Sequence, residues 1–558
     1  MNDFKNPPRI LRSEDQTASL RRTPMTQEEI RIDEEEVHAQ VDKITQTMYF
    51  QYIQSETKKL RARMQNYELG FAAQKTGLKR EFGAVDVFVM TCCTLIGLAI
   101  AVRTITIQTL VPGIESLVPV AFLVAAIPAV LVALCYAVFA SSIPRSGGDY
   151  VFISRGFHPF LGFWSSWTKW FGMTTALGFI AYTTALLFSD FLRALLKSFQ
   201  PSPITNTALT LVILTVCFAV NFAGARVFKW ATRGSFVIFI AGGLLTIVVG
   251  LAVSQWQFLQ AVQPRLGVQT ASFLVETGQR LSSGNPFDLR VLLGAAAILF
   301  FAYWGLETAI AVSGEVRNPE RAIPRGIVAA IAFTTLYYFL YSVSVYHMVP
   351  WEFVAGYVSI EPNSSVLALY GFVLPSYAIL FVSFALVISV LSDIFPLMLS
   401  ASRIVFAWSF DGLIPKAFTK LNSHGVPTLA LVLSYAVSFG SALECNYSGY
   451  LRVLDLATLG MLWTYILVAL TILTASVERP LMLKNAKFRL GRFTRPVAVL
   501  AFLTCLVLFG EFILDSRDSF FFFAIWSALG AAVYYWIQQR KLREKIDMQA
   551  TFALIPPE

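Results

Sequence analysis

Residues 291–313 read VLLGAAAILFFAYWGLETAIAVS, and this run decides what kind of chain it belongs to. At about 1.5 Å per residue it is long enough to cross a hydrocarbon core of about 30 Å, yet it holds one ionisable side chain, Glu307. Gly305 falls near mid-depth. A glycine there lets the backbone leave helical geometry, and the freed N–H and C=O groups must find partners because lipid offers none. Glu307 carries a second message. An acid at membrane depth costs roughly 2.5–3.5 kcal/mol to insert, so it faces the protein interior with a partner or a task.

Outward from this run the pattern repeats. Apolar stretches fall at 85–110, 118–142, 160–190, 207–223, 232–253, 291–313, 326–349, 373–409, 427–443, 453–475, 496–514 and 519–538, which predicts twelve transmembrane helices. Composition agrees: of 558 residues 56% are hydrophobic and 14% charged, and mean hydropathy is +0.61. Soluble domains run nearer 45–50% apolar and about 25% charged, so a soluble enzyme, a nucleic-acid binder and a secreted disulfide scaffold are set aside. An all-α polytopic membrane protein is expected.

Loop charge sets the orientation. The loops after spans 2, 4, 6, 8 and 10 carry Arg145, Arg155, Arg226, Lys229, Arg317, Arg321, Arg325, Lys416, Lys420 and a cluster from Arg479 to Arg495. The opposite loops carry mainly Arg265, Arg280, Arg290, Arg452 and Arg517. The positive-inside rule then puts both termini in the cytoplasm, with Arg540, Lys541, Arg543 and Lys545 in the tail agreeing. A plasma membrane is the expected location, no transit or retention signal being visible. Residues 1–80 hold 14 Lys/Arg against 12 Asp/Glu and show no cleavable signal peptide. They read as a cytosolic arm, disordered over 1–26 and helical over 27–68, ahead of a twelve-helix domain over 81–540 and a tail over 541–558.

The six cysteines lack metal-ligand or disulfide spacing, and His38, His158, His347 and His424 form no ligand pair or catalytic set at membrane depth. No metal or cofactor is expected. No paired nucleophile and base lies within the spans, so the chain does not read as an enzyme.

Span 1 holds the counterpart of Gly305. It reads Thr94-Leu95-Ile96-Gly97-Leu98-Ala99-Ile100, with Gly97 near the midplane. Two interrupted helices in corresponding halves are the layout of secondary transporters. The carboxylate of a zwitterion can take the N–H groups opening the second half of span 1, and its ammonium the carbonyls ending the first half of span 6. Read by spacing alone, each glycine serves equally well as a close-packing contact between helices.

The segment Ser313-Gly314-Glu315-Val316-Arg317-Asn318-Pro319-Glu320-Arg321-Ala322-Ile323-Pro324-Arg325-Gly326-Ile327 resembles the G-E-x-x-N-P-x-x-x-I-P-x-x-I loop of the amino acid-polyamine-organocation superfamily. Ile143-Pro144-Arg145-Ser146-Gly147-Gly148-Asp149-Tyr150, the run Phe300 to Glu307, and Ser402-Arg403 with Asp411-Gly412-Leu413-Ile414-Pro415 are similar to further segments of that family. The likeness covers roughly residues 81–540. It implies a five-plus-five inverted repeat of the LeuT type, spans 1–5 and 6–10, with spans 1 and 6 broken and a central amino-acid site under alternating access. It points to Ile96, Gly97, Leu98 and Ala99 for the substrate carboxylate, and to Phe301, Ala302, Tyr303, Trp304 and Gly305 for the amine and side chain. Two positions depart from the family pattern. Ala99 stands where a second glycine is usual, and Trp304 where a smaller residue often lies, which suggests a compact or aromatic-lined pocket.

Besides Glu307, the ionisable residues within the spans are Arg103, Lys169 and Asp393. Depth places Arg103 roughly 27 Å from the inner end of span 1 and Lys169 roughly 14 Å from that of span 3. Lys169 and Glu307 are therefore expected to meet, with Asp393 in reach of the same layer. Glu307 or Asp393 can exchange a proton during transport, Lys169 tuning it; a permanent ion pair fixing the helices is the equal alternative. Some proton-coupled relatives use a lysine in span 5, and Gly234 to Val253 contains none. Arg103 reads as a vestibule residue for acidic substrates or as a snorkelling side chain. The function implied is secondary transport of amino acids or amines, proton-coupled or by exchange, with membrane lipid around the chain and no nucleic-acid partner. A non-transporting amino-acid sensor on the same fold is the alternative.

Overall fold

A computed structural model describes residues 77–544, apart from 197, 283–287, 363, 449–451, 479–482, 484, 485 and 516. The arm expected over 1–80 lies outside the described residues up to 76, as does the tail from 545 onward. Among the described residues there is no strand, only the isolated bridges Phe82–Val316 and Leu421–Pro427. Twelve helical stretches are long and apolar enough to cross a membrane.

The first span is two helices, α1 (Ala84–Leu95) and α2 (Leu98–Leu110). The second is α3 (Val118–Ser142), followed by a short helix, α4 (Asp149–Gly156). Spans three to five are α5 (Pro159–Leu195), α6 (Pro203–Phe222) and α7 (Ala225–Ala252). Two helices that the hydropathy pattern left as loop follow, α8 (Gln255–Leu266) and α9 (Val268–Gln279). The sixth span is α10 (Leu289–Leu299), a tight turn and α11 (Thr308–Ala311). The seventh, α12 (Pro319–Met348), leads through α13 (Trp351–Ile360) and α14 (Val366–Tyr370) to the eighth, α15 (Ser376–Phe410). Spans nine to twelve are α16 (Thr428–Ser448), α17 (Arg452–Glu478), α18 (Thr494–Asp515) and α19 (Arg517–Arg543).

Local chemistry sets several of these ends. Pro159, Pro203 and Pro319 open helices at positions where a missing N–H costs nothing, and the Ser202 hydroxyl accepts from Thr205 N at 3.1 Å. The seventh span therefore starts at Pro319, inside a segment read as loop, and not at 326. The fifth span likewise starts at Ala225 and not at 232, because Gly224 ends the preceding turn with φ +89°. That earlier start brings Lys229 and Arg233 into the fifth span.

Helix α5 packs against α15, α16 and α17, and α12 against α3, α1 and α7. Spans one and ten are largely buried, whereas α6 and α18 turn most of their surface outward. The outward residues are apolar, such as Val212, Val216, Leu503 and Val507, as a lipid-facing surface requires. All six cysteines are free and buried.

Candidate functional site

The interruption in the first span occupies Ile96 (φ −87°, ψ 81°) and Gly97 (φ −125°, ψ −140°). In the sixth span α10 gives way to a 3₁₀ turn over Phe300–Tyr303, an extended Trp304, and Gly305 at φ +96°. That φ favours glycine. A Cβ on Gly305 would also stand 2.9 Å from the Thr94 Cβ, so the two interruptions touch.

Side-chain hydroxyls cover the carbonyls that the missing helical turns release. The Tyr338 hydroxyl on α12 lies against both Leu95 O and Ala302 O, the latter at 2.9 Å. Ser389 on α15 donates to Ile96 O at 2.6 Å, and Thr94 and Thr308 donate to Gly305 O at 3.1 and 2.8 Å. No side chain caps the start of α2, so its first N–H groups, at Leu98 and Ala99, have no side-chain partner. Leu98 is described by its backbone alone. Ile96, Ala302, Tyr303 and Trp304 are buried, and Phe301 and Ala99 partly so. Phe301 and Trp304 stack with centroids 5.9 Å apart, and the Tyr303 hydroxyl donates to Phe122 O at 3.2 Å. The arrangement is closed and aromatic.

Beside it lies a buried charge cluster. Lys169 Nζ is 3.1 Å from Glu307 Oε1 and also pairs with Asp149 Oδ2. Tyr465 on α17 donates to Glu307 Oε2 at 2.5 Å. Burial pushes the Asp149 carboxyl above the usual carboxylate range; Lys169 pulls it back, and Glu307 pushes it up again. Asp393 does not join this layer, as sequence depth suggested. Its Oδ2 lies 3.9 Å from where a Cβ on Gly97 would sit, and its Oδ1 has no hydrogen-bond partner among the described residues. The reason is helix rotation. Depth fixes how far along a span a side chain lies, but not which neighbour it faces. Arg103 is partly buried in α2, beyond the break.

At the end bearing the basic loops a second network closes the bundle. Arg403 grips Glu315 with two bonds, Nε at 2.7 Å and Nη2 at 2.9 Å, both side chains being buried. The Glu315 carbonyl accepts from Glu81 N at 2.8 Å and Phe82 N at 3.0 Å, and Arg317 N donates back to Phe82 O at 2.8 Å. Lys229 donates to Glu81 O at 3.3 Å. Asp86, in the first turn of α1, takes Arg233 Nη2 at 2.6 Å. Nearby, Asp411 accepts from the Tyr150 hydroxyl and from Arg155, each at 2.6 Å.

Asp149, Tyr338, Ser389, Tyr465 and the pairs Glu315–Arg403 and Asp86–Arg233 escape a reading of the spans for charge at mid-depth. Asp149 carried a signal, being the one acid in the glycine-glycine-tyrosine segment. A lone Tyr or Ser in an apolar helix carries none.

An all-helical bundle with twelve membrane-length helices and most of its charged side chains paired inside or at one end is an integral, multi-pass membrane protein. The profile of the family described as "Amino acid permease" matches residues 82–538, and the chain belongs to that family, whose members are transporters and not enzymes. It is similar to the methylthioribose transporter of Bacillus subtilis, 25% identical over 84% of this chain and 95% of that protein. It is similar also to the branched-chain amino acid permease BcaP of the same organism, 24% identical over 82% and 93%. Cationic amino acid transporter 4 of Mus musculus is 25% identical over 73% of this chain, which spans 62% of that longer relative.

Proposed function

We propose that the chain is a secondary active transporter that moves amino acids or related amines by alternating access, driven by protons or by exchange. Spans 1–5 and 6–10 form a five-plus-five inverted repeat, and the substrate binds where spans 1 and 6 are broken. The N–H groups of Leu98 and Ala99, behind Ile96 and Gly97, take its carboxylate; carbonyls of the segment Phe301, Ala302, Tyr303, Trp304 and Gly305 take its ammonium. Lys169 with Glu307 or Asp393 carries the coupling proton, and Arg103 lines the outer vestibule. The basic-loop end is cytoplasmic, in the plasma membrane, with both termini inside. Residues 81–540 are the transporting domain and 1–80 an accessory arm.

The observation that carries this reading is the contact between the two interruptions, where backbone carbonyls of both spans meet under small hydroxyls beside an uncapped helix start. Printed names of the relatives widen the substrate class from branched-chain and cationic amino acids to a methylthio sugar. The test is uptake into proteoliposomes of a mixed radiolabelled amino-acid panel, with and without a proton gradient. Gradient-driven accumulation is the expected result, and counterflow indifferent to the gradient would indicate exchange. No uptake under any gradient, with ligand binding retained, would make the protein a sensor.

A further inference from the structure

The Asp149–Lys169–Glu307 cluster is electrically incomplete. One ammonium serves two carboxylates, so with all three ionised a buried site keeps one uncompensated negative charge. Two carboxylates that share a cation in a dry site do not both stay ionised without cost, and the ordinary remedy is a proton on one of them.

Which one is decided by hydrogen bonds. Both Glu307 oxygens are engaged, Oε1 by Lys169 and Oε2 by the Tyr465 hydroxyl. Asp149 is engaged at Oδ2 alone, and its Oδ1 has no hydrogen-bond partner among the described residues although the residue is 3% exposed. The fully buried Tyr136 hydroxyl, on α3, is likewise without a partner and stands near enough to Asp149 to interact with it electrostatically. A proton on Asp149 Oδ1 turns an orphan acceptor into a donor beside an orphan oxygen. A proton on Glu307 would instead set two donors, its own and that of Tyr465 or Lys169, against each other.

The groups that face Asp149 are Tyr136 from α3, Lys169 from α5 and Glu307 from the sixth span, with Tyr465 of α17 behind Glu307. On its own helix, Tyr150 and Arg155 are committed to Asp411 of the loop after α15. No second cation is thereby brought to it.

Position gives the proton a mechanical consequence. Asp149 is the first residue of α4, behind Gly147 and Gly148, whose φ values are +110° and +52°. Gly147 N donates to Ala311 O at 2.9 Å, and a Cβ on Gly148 would stand 3.2 Å from Ala311 Cα, so α4 sits on the end of the interrupted sixth span. Lys169 is the ionic tie between the two.

We propose that Asp149 takes the coupling proton, and that the new O–H bond at Oδ1 releases the tie Lys169 makes between α4 and the sixth span. The proton comes from water on one side of the membrane and returns to water on the other; Lys169 keeps Glu307 throughout. This rests on the proton-coupled reading above and names the group that the reading left between Glu307 and Asp393.

The experiment uses full-length protein in proteoliposomes with the membrane potential clamped, and a radiolabelled panel of neutral amino acids as probe. At one proton per substrate, one pH unit supports about a tenfold accumulation. Wild type is expected to show it. Asp149→Asn is expected to bring the panel only to equal concentrations on the two sides while still catalysing counterflow. Asp149→Glu is expected to restore accumulation with a displaced pH midpoint. Accumulation by Asp149→Asn with the wild-type pH profile overturns the proposal. Where Asp149→Asn does not fold, the Asp149→Glu midpoint decides, an unmoved midpoint overturning it. If wild type itself ignores the proton gradient while exchanging the panel, the proton-coupled reading fails, and this proposal with it, by a result visible before any variant is made.

Discussion

Two buried charge clusters lie in this bundle, and they are built on opposite principles. Glu315 and Arg403 form a one-to-one pair with two parallel hydrogen bonds, and the backbone of Glu315 is occupied as well. Asp149, Lys169 and Glu307 form a two-to-one group with an unsatisfied carboxylate oxygen. A saturated pair has one state that is much better than any other, so it fixes geometry. An unsaturated group has two protonation states of comparable standing, so it can switch. The first holds the basic-loop end shut; the second is where a change of proton can be felt.

The largest effect expected is at the saturated pair. Arg403→Ala strands a buried carboxylate, and a loss of about 3–5 kcal/mol should appear as a collapse of thermal stability in detergent, with Arg403→Met/Glu315→Leu recovering most of it. If the single variant melts like wild type, the contrast between the clusters fails. Gly305→Ala comes next. Its φ of +96° and the 2.9 Å approach to Thr94 predict a strain of about 1–3 kcal/mol, and substrate uptake should be lost in protein that still elutes as a monodisperse peak.

Lys169→Met sharpens the contrast through its pH dependence. Without the ammonium, the influence that lowers Asp149 is gone, so its folded-state value rises further above that of the unfolded chain. The folded state then binds more protons than the unfolded one. Stability is expected to be best in acid and to fall as pH rises from the ordinary carboxylate range, by up to about 1.4 kcal/mol per pH unit for one proton. Melting curves across pH should show that slope, and wild type a flatter one. The smallest effect is expected from Ser389→Ala, which uncovers the Ile96 carbonyl at a cost of about 1 kcal/mol. Its substrate KM should move more than its melting temperature.

Membrane class, the number of spans, and the interruptions at Gly97 and Gly305 were all legible, because length, hydropathy and glycine act locally along the chain. The meeting of Lys169 with Glu307 was legible too, since both sit at one depth. Asp393 was misplaced within the same argument, facing Gly97 and not Lys169. Starts at Pro319 and Ala225 were read late because proline and charged residues were taken as loop, although proline is at home in a first helical turn. The closing pair Glu315–Arg403 lay in two quoted motifs 88 residues apart, with nothing in either to say they touch.

By itself the sequence determined what each segment must do about water: which runs enter lipid, where the backbone is free to break, and how few charges go with it. Tertiary structure alone decided who answers those charges. Partnership depends on helix rotation and on the packing of spans far apart in the chain, which put Asp149 beside Lys169 and left one of its oxygens without a donor. Hydropathy and glycine spacing are properties of neighbours in the chain, whereas the balance of a buried charge is a property of neighbours in space.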